Sequence, residues 1–396
     1  MISRRRLVAG AVGLAPRLPS SLALVALPMG ARAQSQPGAV MRVGRSRSIQ
    51  TLAQAARLAR AGQRIEVDAG DYLADVAVWT QDDVSIRAVG GRARLLAQGA
   101  SAEGKAIWVV RAKRMRVQGI DFEGCAVPGR NGAGIRFEQG ALWLRDCSFT
   151  LNEMGLLTSN DENAVLDVEN CEFAYNMRPD GHNHNLYVGA IARASVTGSY
   201  FHHARTGHLL KSRAAVNRIF YNRLTDEAGG SASYELEFPN GGMALVVGNL
   251  IEQGPQTDNP YLISVGAEGY KWPRSSIQLV NNTLVNGLGQ DGEFLRVMPG
   301  AQQIRAVNNL LVGHGALENA GSGEYRNNFQ AEAKDFAHLA GFDTRLKRRS
   351  LLVGRGGDAG ASGGQSLNPS REYTHPRSTR AVSFSTHNPG AMQSLA

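Results

Sequence analysis

The chain has 396 residues, with 43 lysines and arginines against 34 aspartates and glutamates and a formal net charge of +9. Five of the arginines (Arg4, Arg5, Arg6, Arg17 and Arg32) fall in the first 33 residues, which hold no acid, so the rest carries only about +4. That surplus suits an acidic partner and is too small to point to nucleic acid. The three cysteines, Cys125, Cys147 and Cys171, make no disulfide framework.

The N-terminus reads as an export signal of twin-arginine type over residues 1–33. "SRRRLVAGAVG" is followed by an apolar run and by the small-residue site Ala31–Ala33, with cleavage expected near Gln34. The apolar run falls short of the ~20 residues a membrane span needs. The expected location is therefore periplasmic or secreted, with no membrane span after signal removal. Next comes "SIQTLAQAARLARAGQRIEV". Here Ser48 is placed to cap an amphipathic helix over about 48–60, Gly62 to end it and "RIEV" to open a strand.

From there a short phrase recurs: "GIDF", "DCSF", "NCEF", "GSYF", "YNRL", "GNLI", "NNTL", "NNLL" and "RNNF". The closing apolar residues are Phe122, Phe149, Phe173, Phe201, Leu224, Ile251, Leu284, Leu311 and Phe329, 27, 24, 28, 23, 27, 33, 27 and 18 residues apart. A jittery period in the twenties predicts one winding per repeat with turns of variable length. The residue two before each marker runs Ile120, Cys147, Cys171, Ser199, Asn222, Asn249, Asn282, Asn309 and Asn327. Small polar groups stacked in this way satisfy one another and the turn backbone. The same column makes Cys147 and Cys171 stacked neighbours, expected as packed reduced thiols. Leucine-rich repeats would need Leu at fixed spacing, and propeller blades run ~40 residues or more.

The pattern therefore predicts an all-β fold: a single-stranded right-handed parallel β-helix of about nine or ten coils over 34–346, closed by the N-terminal helix. Over about 42–329 it resembles the pectate-lyase-like β-helix superfamily. The Gly-, Ser- and Arg-rich residues 347–396 are expected to form a tail, wrapped on the barrel or disordered.

Five strands align after the markers: "HNLYVGA" (His184–Ala190), "HLLKSRA" (His208–Ala214), "YELEFPN" (Tyr234–Asn240), "YLISVGA" (Tyr261–Ala267) and "EFLRVMP" (Glu293–Pro299). Strict alternation turns Leu186, Leu210, Leu236, Ile263 and Leu295 inward, with Val188, Ser212, Phe238, Val265 and Val297. The outward column is then Tyr187, Lys211, Glu237, Ser264 and Arg296, flanked by Asn185, Leu209, Glu235 and Leu262 and by Gly189 and Arg213. With coils ~4.8 Å apart, Lys211 is expected between Tyr187 and Glu237, with Arg213 on its own strand and His184 and His208 at the strand mouths. His202, His203 and Arg205 are expected at the rim of this face, which forms a groove fit for an extended acidic polymer.

Removing the C5 proton of a uronate needs a group to neutralise its carboxylate, a base, and an acid for the departing 4-oxygen. The assignment is Lys211 as base, its proton loss helped by Arg213, and Tyr187, His184 or His208 as acid. Arg213 and Arg296 are forks for carboxylates. His182, Asn185, Glu235, Glu237 and Tyr261 complete the substrate-binding set. The predicted reaction is β-elimination, catalysed by a monomeric polysaccharide lyase acting on uronic-acid polymers.

"LLKSRAAVNRIFYN" resembles the Lys-Ser strand of polysaccharide lyase family six, which includes alginate lyases and chondroitinase B. That resemblance implies Lys211 as base and Ca²⁺ on acidic residues, for which Glu235 and Glu237 are the available ligands. They stand where the family pattern expects an arginine, so Arg213 is the substitute. "PDGHNHN" with "GHLLKSRAAVNRIFYN" is similar to mannuronan C5-epimerases, which share the first proton removal.

A glycoside hydrolase would draw on Asp226, Glu227, Glu235 and Glu237 as paired carboxylates. A non-catalytic adhesion module would use Tyr187, Tyr234, Tyr261, Tyr270 and Trp272 for stacking. No Gly-rich phosphate loop opens a helix, and no Cys/His spacing indicates zinc.

Overall fold

The computed structural model describes residues 40–396 except 179–180, 290–291, 318–319 and 384–386. The expected export segment lies outside the described residues. Each winding places one strand in a nine-stranded parallel sheet, running from Ala77–Trp79 to Glu293–Val297. It places two short strands in a second, 21-stranded parallel array. The result is the expected parallel β-helix. Among the described residues there is one α-helix, α1 (Leu52–Leu58), and no helix long and apolar enough to cross a membrane.

The helix is shorter than expected, and Thr51, not Ser48, caps it. The Thr51 side chain accepts from the Gln54 amide at 3.1 Å. Asp75, in the connection between the strands Arg64–Leu73 and Ala77–Trp79, accepts from the Leu52 and Ala53 amides at 2.6 and 2.8 Å. Those donors have no intrahelical partner, so the carboxylate fixes where the helix begins. Leu52, Ala55 and Ala56 are buried on the open end of the first coil.

Two columns hold the coils in register. Phe122, Phe149, Phe173 and Phe201 stack face to face with centroids 5.0, 4.7 and 4.8 Å apart, each ring fully buried. Beside them runs the polar ladder. The side-chain oxygen of each of Asn222, Asn249, Asn282 and Asn309 accepts the amide of the preceding member at 2.9 Å. Cys171 and Ser199 take the same place in earlier coils, accepting at 3.5 and 3.1 Å. Both Cys147 and Cys171 are buried free thiols.

The residue before each rung is left-handed: Gly119, Asp146, Asn170, Gly198, Tyr221, Gly248, Asn281, Asn308 and Asn327 all have positive φ. This turn selects Gly and Asn and corrects the last rung. Asn327 is the left-handed residue, Asn328 accepts from the Asn309 amide at 3.1 Å, and Gln330 rather than Phe329 pairs with Leu311.

The tail is wrapped on the barrel. Arg371–Thr374 and Ser378–Ala381 form a hairpin. The Ala391 amide donates to the Thr283 hydroxyl at 3.0 Å, Asn281 Nδ2 donates to the Asn388 carbonyl at 2.9 Å, and Arg377 Nη1 meets Glu172 Oε2 at 3.2 Å.

Candidate functional site

The pairing across the nine-stranded sheet gives the expected central register: Tyr187 with Lys211, Lys211 with Glu237, Glu237 with Ser264 and Ser264 with Arg296. Alternation fails at the start of these strands. Asn185, Leu209, Glu235 and Leu262 are fully buried, and so are Leu186, Leu210, Leu236 and Ile263, so two successive residues turn into the barrel. The outward residue preceding Tyr187, Lys211 and Glu237 is therefore three positions back: His184, His208 and Tyr234. Asn185 thus lies inside, where its Oδ1 accepts from Asn176 Nδ2 at 2.8 Å and its Nδ2 donates to the His202 carbonyl at 2.9 Å. The Glu235 carboxyl is enclosed, with neither oxygen hydrogen-bonded, and burial pushes it well above the ordinary carboxylate range. Neither residue lines the face.

What the face brings together is a network around Lys211 and Arg213. Lys211 Nζ lies 2.9 Å from Glu237 Oε2 and 2.9 Å from Glu268 Oε1. Arg213 Nε donates to the Tyr187 hydroxyl at 2.8 Å. Its Nη1 meets Glu268 Oε2 at 2.7 Å, its Nη2 donates to Glu268 Oε1 at 2.9 Å, and Nη1 also donates to Asn240 Oδ1. Lys211 points outward but is only 9% exposed, covered by its ion partners rather than open to water.

The histidines sit behind it. His208 Nε2 donates to Glu237 Oε2 at 2.9 Å, and the His208 amide donates to His184 Nδ1 at 3.1 Å, which leaves the His184 proton on Nε2. His184 lies over Tyr187 with centroids 5.4 Å apart and meets His208 edge-on at 4.5 Å.

Burial first, then His208, Lys211 and Arg213, drive His184 well below its ordinary pKa. Burial also lowers His208, although Glu237 opposes it. Both shifts favour the neutral ring. Burial acts to raise Glu237, and His208 with Lys211 more than cancels this, holding it below the usual range. Arg213 first, then Lys211, bring Glu268 down to about 2. The face thus carries two cations against two carboxylates.

Arg296 forms a neighbouring patch on the same sheet. Its Nη2 donates to the Tyr234 hydroxyl at 3.0 Å, and its guanidinium lies 4.2 Å from the Tyr261 ring centroid. Tyr234 in turn packs on His208 at 5.0 Å, linking the two patches. His182 is exposed in the preceding turn. His202 and His203 do not rim this site. His202 Nε2 meets Glu172 Oε1 at 3.3 Å and its ring stacks on Tyr200 at 4.0 Å, in the region where Glu172 is gripped by the tail's Arg377.

The expected Ca²⁺ pair does not fit a cation. Glu235 is sealed inside, where burial favours its neutral form, and Glu237 Oε2 is already shared by Lys211 and His208. Among the described residues no three His, Cys, Asp or Glu converge at metal-holding distance.

Sequence reading missed Glu268. It lies in the turn "GAEGYKW" after the fourth aligned strand, and turns of variable length carry no register. Two anchors hold that turn over the site: Trp272 Nε1 donates to the Arg213 carbonyl at 2.9 Å, and the Tyr270 hydroxyl donates to the Met298 carbonyl at 2.5 Å.

The chain is a right-handed parallel β-helix protein with a charged, histidine-backed face on one sheet. Its architecture matches the crystal structure of pectate lyase Pel9A, with a TM-score of 0.56 over 90% of this chain and 97% of that one, at 13% identity. At that identity the likeness is one of fold. No protein-family model matches the sequence, and no curated protein matches it.

Proposed function

We propose that this protein is an exported lyase that cleaves a uronate-containing polysaccharide by β-elimination. The observation that carries the reading is the convergence of Lys211, Arg213 and Tyr187 on one solenoid face, with the Arg213 guanidinium 2.8 Å from the Tyr187 hydroxyl. An acidic chain laid across the coils puts a sugar carboxylate on the Arg213 fork, which stabilises the charge that spreads onto it when C5 is deprotonated. Lys211, as the free amine, takes the C5 proton. The C5–H electrons form the C4–C5 double bond, the C4–O4 bond breaks, and Tyr187 gives its proton to the leaving oxygen. Neutral His184 and His208 supply a dry wall that adds no positive charge. The family resemblance of the Lys211 strand and the fold shared with a pectate lyase agree with this chemistry. The export reading of residues 1–33 goes with a polymeric substrate outside the cytoplasm.

The test is to incubate the protein with alginate, pectate, glucuronan and glycosaminoglycans, with and without chelator, and follow ultraviolet absorbance of the unsaturated uronate product. Lys211→Ala is expected to lower turnover on the active polymer about 100-fold or more, with the folded state verified by its melting curve because the buried Glu237 loses a counter-ion. Retained turnover in the folded variant would remove Lys211 from the mechanism. Product with no unsaturation would point instead to epimerisation or hydrolysis.

A further inference from the structure

We propose that Glu268 marks the carboxylate subsite by filling it in the ligand-free protein, and that a sugar carboxylate binds by taking its place on Arg213 and releasing Lys211. The inference rests on the lyase reading only for the use made of the released lysine. Glu268 holds the pair as a ligand would. One oxygen bridges Lys211 Nζ and Arg213 Nη2, both at 2.9 Å, and the other lies 2.7 Å from Nη1. A planar carboxylate on a guanidinium fork is the geometry a uronate would adopt there.

Of the two anions on Lys211, Glu268 is the one free to leave. Its side chain is 44% exposed, against 4% for Glu237, which His208 also holds. The turn backbone need not follow, since the Glu268 amide donates to the Pro239 carbonyl at 2.9 Å and Tyr270 and Trp272 anchor the residues after it. Charge balance points the same way. Two cations already face two carboxylates, so a third anion enters at a repulsive cost unless one withdraws. Between Glu237 and Glu268, Lys211 Nζ is taken up by two counter-ions at 2.9 Å each and is closed to a C5 proton. Once Glu268 swings out and the incoming carboxylate settles on Arg213, Lys211 keeps one counter-ion and its Nζ is open to the sugar ring. Glu268 thus sets specificity. Neutral polymers cannot displace it, and a carboxylate can.

The experiment is calorimetric titration of wild type, Glu268→Gln and Glu268→Ala with trigalacturonate, trimannuronate, triglucuronate and neutral maltotriose at fixed ionic strength. Melting curves check folding. At least one uronate trimer is expected to bind the variants about tenfold more tightly than wild type, with maltotriose unaffected. Unchanged or weakened uronate binding in folded variants overturns the proposal, as does failure of every uronate to bind any of the three proteins. If the variants gain affinity while no protein forms unsaturated product, the subsite stands and the lyase reading falls. If wild type forms unsaturated product and the variants gain no affinity, the lyase reading stands and the subsite falls.

Discussion

Glu235 is the residue whose role most depends on one turn of backbone. Outward, it would have been a surface acid beside Lys211. Inward, it joins Asp226 and Glu252 in a buried acidic group, in which Asp226 is raised from 3.8 to about 7, chiefly by burial and then by Glu252. Such an acid keeps its proton in the fold and loses it in the unfolded chain. Unfolding therefore releases a proton between those two values, and stability falls as pH rises from about 4 to about 7, then levels off. A shift of that size corresponds to on the order of 4 kcal/mol. Asp226→Asn keeps an oxygen for the Ala232 amide, which Asp226 accepts at 3.0 Å, and removes the titration. Urea midpoints are expected to match wild type near about pH 4 and exceed it near about pH 8. An equal difference at both pH values would count against the assignment.

At the scale of the element, the polar ladder and the phenylalanine column are what the amino-acid pattern revealed most clearly, because each coil repeats them. Asn249 accepts from the Asn222 amide and donates to the Ile219 carbonyl at 2.8 Å. Asn249→Ala leaves both buried groups without partners and is expected to cost about 2–5 kcal/mol in chemical denaturation. Asn249→Ser should cost less, since Ser199 already serves as a rung. Phe173→Ala removes a ring stacked on both sides and is expected to cost about 3–5 kcal/mol.

The same elements show where the pattern runs out. "RNNF" offers two asparagines for one rung, and only the left-handed turn at Asn327 decides between them. The paired inward residues at Asn185–Leu186 and Glu235–Leu236 break a strict two-residue period, so alternation alone puts Asn185 and Glu235 on the wrong side. Glu268 is invisible to pattern because the turn that carries it, Gly266–Trp272, lies outside the repeated phrase and has no register. The column Tyr187–Lys211–Glu237, which depends on register alone, is fully legible.

For the whole molecule, a solenoid must end somewhere, and this one ends against α1 at one side and carries its C-terminal tail along its flank. Arg223 shows how closely the tail is built in. Its Nη1 lies 3.2 Å from His375 Nδ1 of the tail. Truncation after residue 346 would uncover Asn281, Asn308 and Thr283. It is expected to lower the melting temperature measurably while leaving uronate binding at the Lys211 face intact. The tail's anchors at Glu172, Asn281 and Thr283 belong to the 21-stranded array and its turns, not to the sheet that carries Lys211. A truncated protein that melts like the full chain would show the tail to be an ornament.

Because Lys211 takes one neighbour from the winding before it, one from the winding after it and a counter-ion from the turn beyond that, no single coil contains the machinery. A nascent chain emerging from the ribosome as far as residue 260 would already carry both cations, yet only Glu237 of the two carboxylates that face them. The face would be born basic and become neutral only as synthesis advanced. The charge of this face is thus a property of the finished stack of coils and of no single segment of it.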